Sequence, residues 1–425
     1  MAFANANSAA AYSTFKTVHA FCSKYDVNCV GGGFPKSQLL IDQLGNLYSG
    51  PISGGKFGYG EVLRVSPPKG NWKALHSFCN PDPGECPHGD KGQGSSALIM
   101  DTSGNFYGLS AGDDPYHSLE YGILFKLSNS TGKWVLSIKH TFCKKPNCSD
   151  GSFPLRDGLV YAGQGTGAPW DGVSPLYGVT LQGGAHDGGV VFQMVPGDSG
   201  WKETVIHSFD YYVLPNGLVA DSVGHLYGSV AQGGKYGFGS LYKLVQNGDG
   251  SWKQTDLYNF CRGCARTPAG RLFLDKSHDL FGTTLGGGST PYCTGQEFGC
   301  GTAFELTQDG QYKELYDFCS LPGCADGFVA YGLTMDAAGN LLGTAREGGV
   351  EANCPYELGC GTVFELTQNA GVWSGATLYS FCSQVGCTDG DDPLSPLTFD
   401  SAGNIFGTTY GDGPHGEGSI FEILH

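Results

Sequence analysis

The sequence predicts an all-β fold: a seven-bladed β-propeller with four-stranded blades, closed into a ring by an N-terminal strand that completes the C-terminal blade. Three observations predict it. Four strand patterns recur seven times in one order, the chain opens on the last pattern of a blade, and it ends one strand short of a full blade. Composition agrees: 70 glycines, 12% aromatic and 15% charged residues among 425 describe many short strands joined by tight turns.

The first pattern, A, is a short apolar run that ends in aspartate in six copies: Asp42, Asp101, Asp221, Asp275, Asp336 and Asp400. A Gly-Asn turn follows in four of them, at Gly45, Gly104, Gly339 and Gly403, which suits a hairpin needing positive φ. Pattern B reads Leu-Tyr-Gly or Ile-Phe-Gly and runs into a glycine-rich loop. Pattern C appears seven times, from Val62 to Val65 at the first copy to Ile420 to Ile423 at the last. Pattern D places His or Tyr two residues before Phe, at His19, His76, His140, His207, Tyr258, Tyr316 and Tyr379. The six steps from His19 to Tyr379 average 60 residues, long for one blade because of inserted loops.

The phase of the repeat predicts closure. The opening D segment and the terminal C segment would both be orphan edges in an open stack, and each satisfies the other in a ring. Strand D carries Lys16, Lys73, Lys139, Lys202, Lys253 and Lys313, so it is expected outermost, where charge discourages edge-to-edge pairing. Strand A then lines the channel.

Sixteen cysteines form eight near neighbours: Cys22/Cys29, Cys79/Cys86, Cys143/Cys148, Cys261/Cys264, Cys293/Cys300, Cys319/Cys324, Cys354/Cys360 and Cys382/Cys387. Even numbers in local pairs read as disulfides formed in an oxidising compartment, extracellular or periplasmic. Each closes a short loop, worth about 2 kcal/mol on the chain-entropy model. All eight fall in D-to-A or B-to-C loops, hence on one face, the top. Structural zinc would need four converging ligands, and most pairs sit in different repeats. Residues 1–11 read as the remnant of a signal region, and 12–425 as a single propeller domain. A net charge of −16 argues against nucleic acid and anionic membranes as partners, and no apolar run reaches the length of a membrane span. A monomer is expected.

The text of the repeats, GNIFGTTYGDG with GEGSIFEI and DLFGTTLGGG with GCGTAFELT and LYDF, resembles the GloVer (Gloeobacter/Verrucomicrobia) tandem repeat of bacterial extracellular proteins, the group with varied surface-anchoring ends. The resemblance covers almost the whole chain from Tyr12 to His425 and implies an exported repeat protein. It supplies no reaction. The third blade departs from the pattern, with Gly163 to Trp170 in place of the aspartate turn.

Seven copies provide an internal control: a residue present at one slot in every blade is architectural. The His/Tyr slot of strand D is therefore read as packing, and Asp150, Asp326 and Asp389 of the C-x-D-G loops as turn formers, with calcium a minor alternative. Deviations from the repeat mark candidate chemistry. At the end of strand B, Arg346 and Tyr410 stand where five blades are apolar, and Glu347 follows Arg346. Arg346, Tyr410, His88, Glu347 and Asp412 are the catalytic candidates. Arg266, Asp113, Asp114, His117, His415 and Tyr356 are the binding candidates. Closure makes blades 6, 7, 1 and 2 neighbours, so most of these could share one side of the channel mouth.

Arginine, histidine, tyrosine and carboxylates around a wet cleft suit sugar recognition. The chemistry expected is glycan binding with cleavage. In a uronate lyase Arg346 or Arg266 would neutralise the substrate carboxylate, and His88, His117 or Tyr410 would move the proton. In a glycosidase two of Glu347, Asp412 and Asp113 would serve as acid and base or nucleophile. A non-catalytic lectin, an adhesion module or a structural docking surface is the alternative. No cofactor is required by either mechanism; Ca²⁺ is permitted.

Overall fold

The computed structural model describes residues 12, 14–22, 29, 31–79, 94–111, 121–154, 157–197, 200–293, 299–349 and 353–425. Seven four-stranded antiparallel sheets form the seven blades of a β-propeller, each in the order A-B-C-D. Residues 1–11 lie outside the described residues.

Closure is as the phase requires. Thr14–Ala20 pairs with Ser419–Leu424 from Thr14 opposite Leu424 to Ala20 opposite Ser419, completing the blade whose A and B strands are Thr398–Phe399 and Ile405–Thr409. Among the described residues seven apolar clusters follow, each built from two adjacent blades. The seventh joins Val18, Phe21, Phe406 and Ile420 to Leu39, Leu47, Leu63 and Val65. The ends of the chain therefore share one core. The A strands of neighbouring blades meet around the axis: Thr398 Oγ1 donates to Leu39 O at 2.8 Å, and Thr334 Oγ1 to Leu397 O at 3.1 Å.

Side-chain size is matched across strands B and C. In six blades a B-strand glycine faces an aromatic ring of strand C: Gly108 and Phe125, Gly178 and Phe192, Gly228 and Tyr242, Gly282 and Phe304, Gly343 and Phe364, Gly407 and Phe421. A methyl group on Gly407 would lie 2.4 Å from the tip of Phe421, so the ring needs a bare backbone beside it. The first blade makes the compensating exchange, with Ser49 opposite Leu63.

The aspartate that ends strand A folds the A-to-B turn. Asp42 Oδ1 accepts the Leu44 and Asn46 amides at 2.9 and 2.8 Å, while Asn46 Nδ2 donates to Oδ2 at 2.8 Å. The glycine of this turn takes positive φ, 77° at Gly45 and 89° at Gly403, and His278 fills the same position at 64° in the fifth blade.

Strand D carries a β-bulge in every blade, one residue before the His/Tyr slot, seen as a register break at Thr17/His19 and opposite Val363/Phe364. The bulge sets the His/Tyr side chain against its own Phe, as in the edge-on pairs His19–Phe21 at 5.0 Å and Tyr316–Phe318 at 5.5 Å. The slot does more than pack. Tyr316 and Tyr379 donate their hydroxyls to Asp326 and Asp389 at 2.6 and 2.7 Å, tying strand D to the disulfide loop that follows it. Those aspartates are turn formers as expected: Asp326 accepts the Ser320 and Leu321 amides, and Asp389 those of Ser383 and Gln384. Burial pushes His19 and His140 down to about 4, so both rings are neutral near pH 7.

Disulfides join Cys22 to Cys29, Cys143 to Cys148, Cys261 to Cys264, Cys293 to Cys300, Cys319 to Cys324, Cys354 to Cys360 and Cys382 to Cys387. Cys86 lies outside the described residues. The third blade replaces the aspartate turn by a short 3-10 turn, Gln164–Thr166, and by the fully buried Trp170, whose indole N–H donates to Ser174 O at 3.2 Å. Among the described residues no helix is long and apolar enough to cross a membrane.

Candidate functional site

The candidate site lies where blades 6 and 7 meet on the disulfide-bearing face. Strand Leu341–Glu347 of blade 6 ends in Arg346 and Glu347. The loop closed by Cys382–Cys387 leads into blade 7 through Asp389, Gly390, Asp391 and Asp392. Arg346 grips Asp392 with both arms of its guanidinium, Nε to Oδ1 at 3.1 Å and Nη2 to Oδ2 at 3.4 Å. Such a paired fork fixes both groups in one plane.

Beside it Asp391 is buried, at 4% exposure, and its Oδ1 accepts no hydrogen bond among the described residues. The oxygen rests over Gly411, where a Cβ would approach it to 2.4 Å. Burial is the main force on this carboxyl, followed by the charges of Asp412 and Asp392. Against the pull of Arg346, these push Asp391 up to about 7. Asp412 is raised by burial and by Asp389 and Asp392, and Glu347 by burial and Asp392 while Arg346 opposes. Tyr356, 55% exposed on the blade 6 B-to-C loop, feels Asp391 and Asp412 and is raised in turn. Behind the group, strand Phe328–Met335 supplies Tyr331, raised by burial and sensitive to Arg346, Glu347 and Asp392.

Of the residues singled out in the sequence, the structure therefore brings together Arg346, Glu347, Asp412 and Tyr356. It separates others. The Tyr410 amide donates to Asp391 O and Asp392 O at 3.1 and 3.0 Å, but its ring turns to blade 1, 5.0 Å from the Phe34 ring and under Lys36 Nζ at 4.3 Å. His415 lies near enough to His19 of the outer strand to help lower that ring's pKa, after burial. Arg266 opens the A strand of blade 5 and covers Phe238 of blade 4 at 5.9 Å. His88, Asp113, Asp114 and His117 lie outside the described residues. The broad grouping over blades 6, 7, 1 and 2 thus contracts, among the described residues, to the junction of blades 6 and 7, because Tyr410 faces blade 1 while Arg346 and Asp392 join blade 6 to blade 7.

Asp391 and Asp392 escaped the sequence reading, although a signal was present. After the Asp-Gly of the stapled loop come Ser152-Phe153, Phe328-Val329 and Asp391-Asp392, so only one copy continues with two acids. The second of these positions takes positive φ in each case, 55° at Phe153, 58° at Val329 and 50° at Asp392. One slot thus has a fixed, unusual backbone with interchangeable side chains.

On the other side of the Tyr356 loop a cleft of about 240 Å³ opens between blades 5 and 6, lined by Tyr292, Phe328, Glu357, Leu358 and the disulfides of Cys293 and Cys324. Together the site and cleft offer an acidic group with one near-neutral carboxyl and an aromatic rim.

Fold and loops define a disulfide-stapled, seven-bladed propeller whose candidate residues lie on the loops of one face. Residues 164–353, from within the third blade to within the sixth, match the family model of the Gloeobacter/Verrucomicrobia repeat. No curated protein matches the sequence. Among solved structures, a Lactobacillus plantarum protein is 13% identical, with 81% of this chain and 85% of that one covered at a TM-score of 0.48. A proposed 6-phosphogluconolactonase from Bacteroides uniformis is 12% identical, with 83% and 85% covered at 0.47. A luciferin-regenerating enzyme is 11% identical, with 93% and 92% covered at 0.40. Likeness at this level assigns no activity to the chain.

Proposed function

We propose that the protein is an exported propeller that binds a neutral glycan at the blade 6–7 junction and hydrolyses it by acid–base catalysis. The observation that carries this reading is Asp391, a carboxyl pushed up to about 7 within a group of carboxylates. A glycosidase needs one carboxylic acid still protonated at working pH and a second carboxylate as base or nucleophile. Asp391 suits the first role, Asp412 or Glu347 the second. Tyr356 offers an exposed aromatic face for a sugar ring, and Arg346 holds Asp392 in place.

The lyase mechanism fits less well. Arg346 is already neutralised by Asp392, and the carboxyl groups of Glu347 and Asp412 lie beside the pair, so a uronate would meet net negative charge. The disulfides, which persist in oxidising surroundings, support the export part of this reading. Incubation with neutral and uronic-acid polysaccharides, read by reducing ends and by unsaturated-product absorbance, tests the class. Reducing ends without unsaturated product are expected, with Asp391→Asn lowering kcat by about a hundredfold or more. Binding without product would make the protein a lectin, and undiminished turnover by Asp391→Asn would remove the proposed acid.

A further inference from the structure

The outer rim where blades 2 and 3 meet carries a group that the repeat does not place at the other junctions. The residue four positions before the His/Tyr slot of each D strand pairs with the end of its C strand, as Glu203 does with Met194 and Phe15 with Ile423. It reaches back over the slot of the preceding blade. Tyr312 stacks on Tyr258 at 4.0 Å, Phe15 on Tyr379 at 3.9 Å, and a Cβ on Gly375 would fall 2.6 Å from the Tyr316 ring. Trp72, Leu136 and Gln254 hold the equivalent position in three further blades. Glu203 is the one acid among the seven.

Its neighbours are the histidine of blade 2's slot, His140, and the aspartate of the adjoining C-x-D-G loop, Asp150. One ligand atom from each of the three lies within 4.8 Å of the other two. Asp150 is fully buried and is oriented by the Lys144 and Lys145 amides, which donate to its two oxygens at 2.9 and 3.2 Å. The Glu203 side chain is 4% exposed, and its Oε2 accepts Lys145 Nζ at 2.7 Å. Glu203 Oε1 and His140 Nε2 are both buried and make no hydrogen bond among the described residues. Buried polar atoms in that condition are costly to keep and call for an explanation.

We propose that His140, Asp150 and Glu203 form a Zn²⁺ site that pins the outer strands of blades 2 and 3. One imidazole nitrogen and two carboxylate oxygens match zinc, which takes three or four such ligands. Ca²⁺ asks for six to eight oxygens, which this dry corner does not present. The hydrogen bonds that fix Asp150 supply the outer support that ligating carboxylates ordinarily have. Among the described residues, the other close groupings of potential ligands draw on Cys354, Cys360, Cys382 and Cys387, whose sulfurs are spent in disulfides.

The ring itself provides substitutions that its fold accepts: Tyr316 and Tyr379 occupy the slot of His140 beside the equivalent loop aspartates, Asp326 and Asp389, and Gln254 occupies that of Glu203. The test is titration of the untagged, metal-stripped chain with ZnCl₂ by calorimetry, and with Co²⁺ followed by visible absorption. One ion per chain is expected. Affinity should fall at least about tenfold in His140→Tyr and in Glu203→Gln, and rise in Lys145→Ala, which removes the competing ammonium. A wild-type chain that takes up no zinc overturns the proposal. So does full retention of binding by either of the first two variants with unchanged circular dichroism.

Discussion

Asp391→Asn should change stability in a way that depends on pH with a definite sign. The carboxyl moves from its ordinary 3.8 to about 7 in the folded chain. Between those values the folded state holds a proton that the unfolded state has released, so stability declines as pH rises through this window and levels off above it. At 1.36 kcal/mol per tenfold change in acidity, the whole shift corresponds to about 4 kcal/mol. The neighbouring Asp412 and Tyr356 reach solvent, whose screening reduces the expected effect to about 2 kcal/mol. An asparagine of the same shape has no charge to bury. The variant should therefore match the wild type near pH 4 and exceed it by about 2 kcal/mol at pH 8. Scaling the unfolding entropy to the length of the chain turns this into a rise of about 2 °C in Tm. Thermal unfolding followed by circular dichroism at both pH values measures it. The difference between the two proteins reports Asp391 together with its mutual repulsion with Asp412. A difference of equal size at the two pH values, or a less stable variant at pH 8, would refute the burial argument.

Three further predictions follow from single contacts. Phe15→Ala removes the ring stacked on Tyr379 and packed edge-on against Phe381 at 5.9 Å, and should cost about 3 kcal/mol in denaturant unfolding, whereas the outward Lys16→Ala should cost almost nothing. Equal effects would show that the closing strand contributes no core. Gly407→Ala, which drives a methyl group onto Phe421, should destabilise by about 1–3 kcal/mol, while Ser49→Ala, whose buried Oγ makes no hydrogen bond among the described residues, should be neutral or stabilising in the same assay. Arg346→Ala withdraws the charge that holds Asp391 down, so the alkaline limb of the pH–rate profile should move to higher pH; an unmoved limb would separate Asp391 from the titrating acid.

The sequence by itself determined the number of blades, their order, the closing strand and the disulfide pairs described. These are properties of periodicity: an orphan strand at each end has one partner, and short-range cysteine pairs leave the chain little choice. It also marked Arg346, Glu347, Asp412 and Tyr356, because comparing a residue with its own equivalents separates architecture from deviation. Tertiary structure decided the rest. Tyr410 and Arg346 align in the repeat, yet one ring turns to blade 1 and the other side chain grips Asp392, since their directions depend on what the next blade offers. The bulge that aims His19 and its equivalents is one unpaired residue, invisible to a period-two pattern. Asp391 became the central carboxyl through burial and the nearness of Asp412, and Glu203 met His140 and Asp150 only when two blades packed. Repetition along a chain fixes which strands pair, whereas acidity and ligand grouping depend on distances between loops that the chain order does not specify.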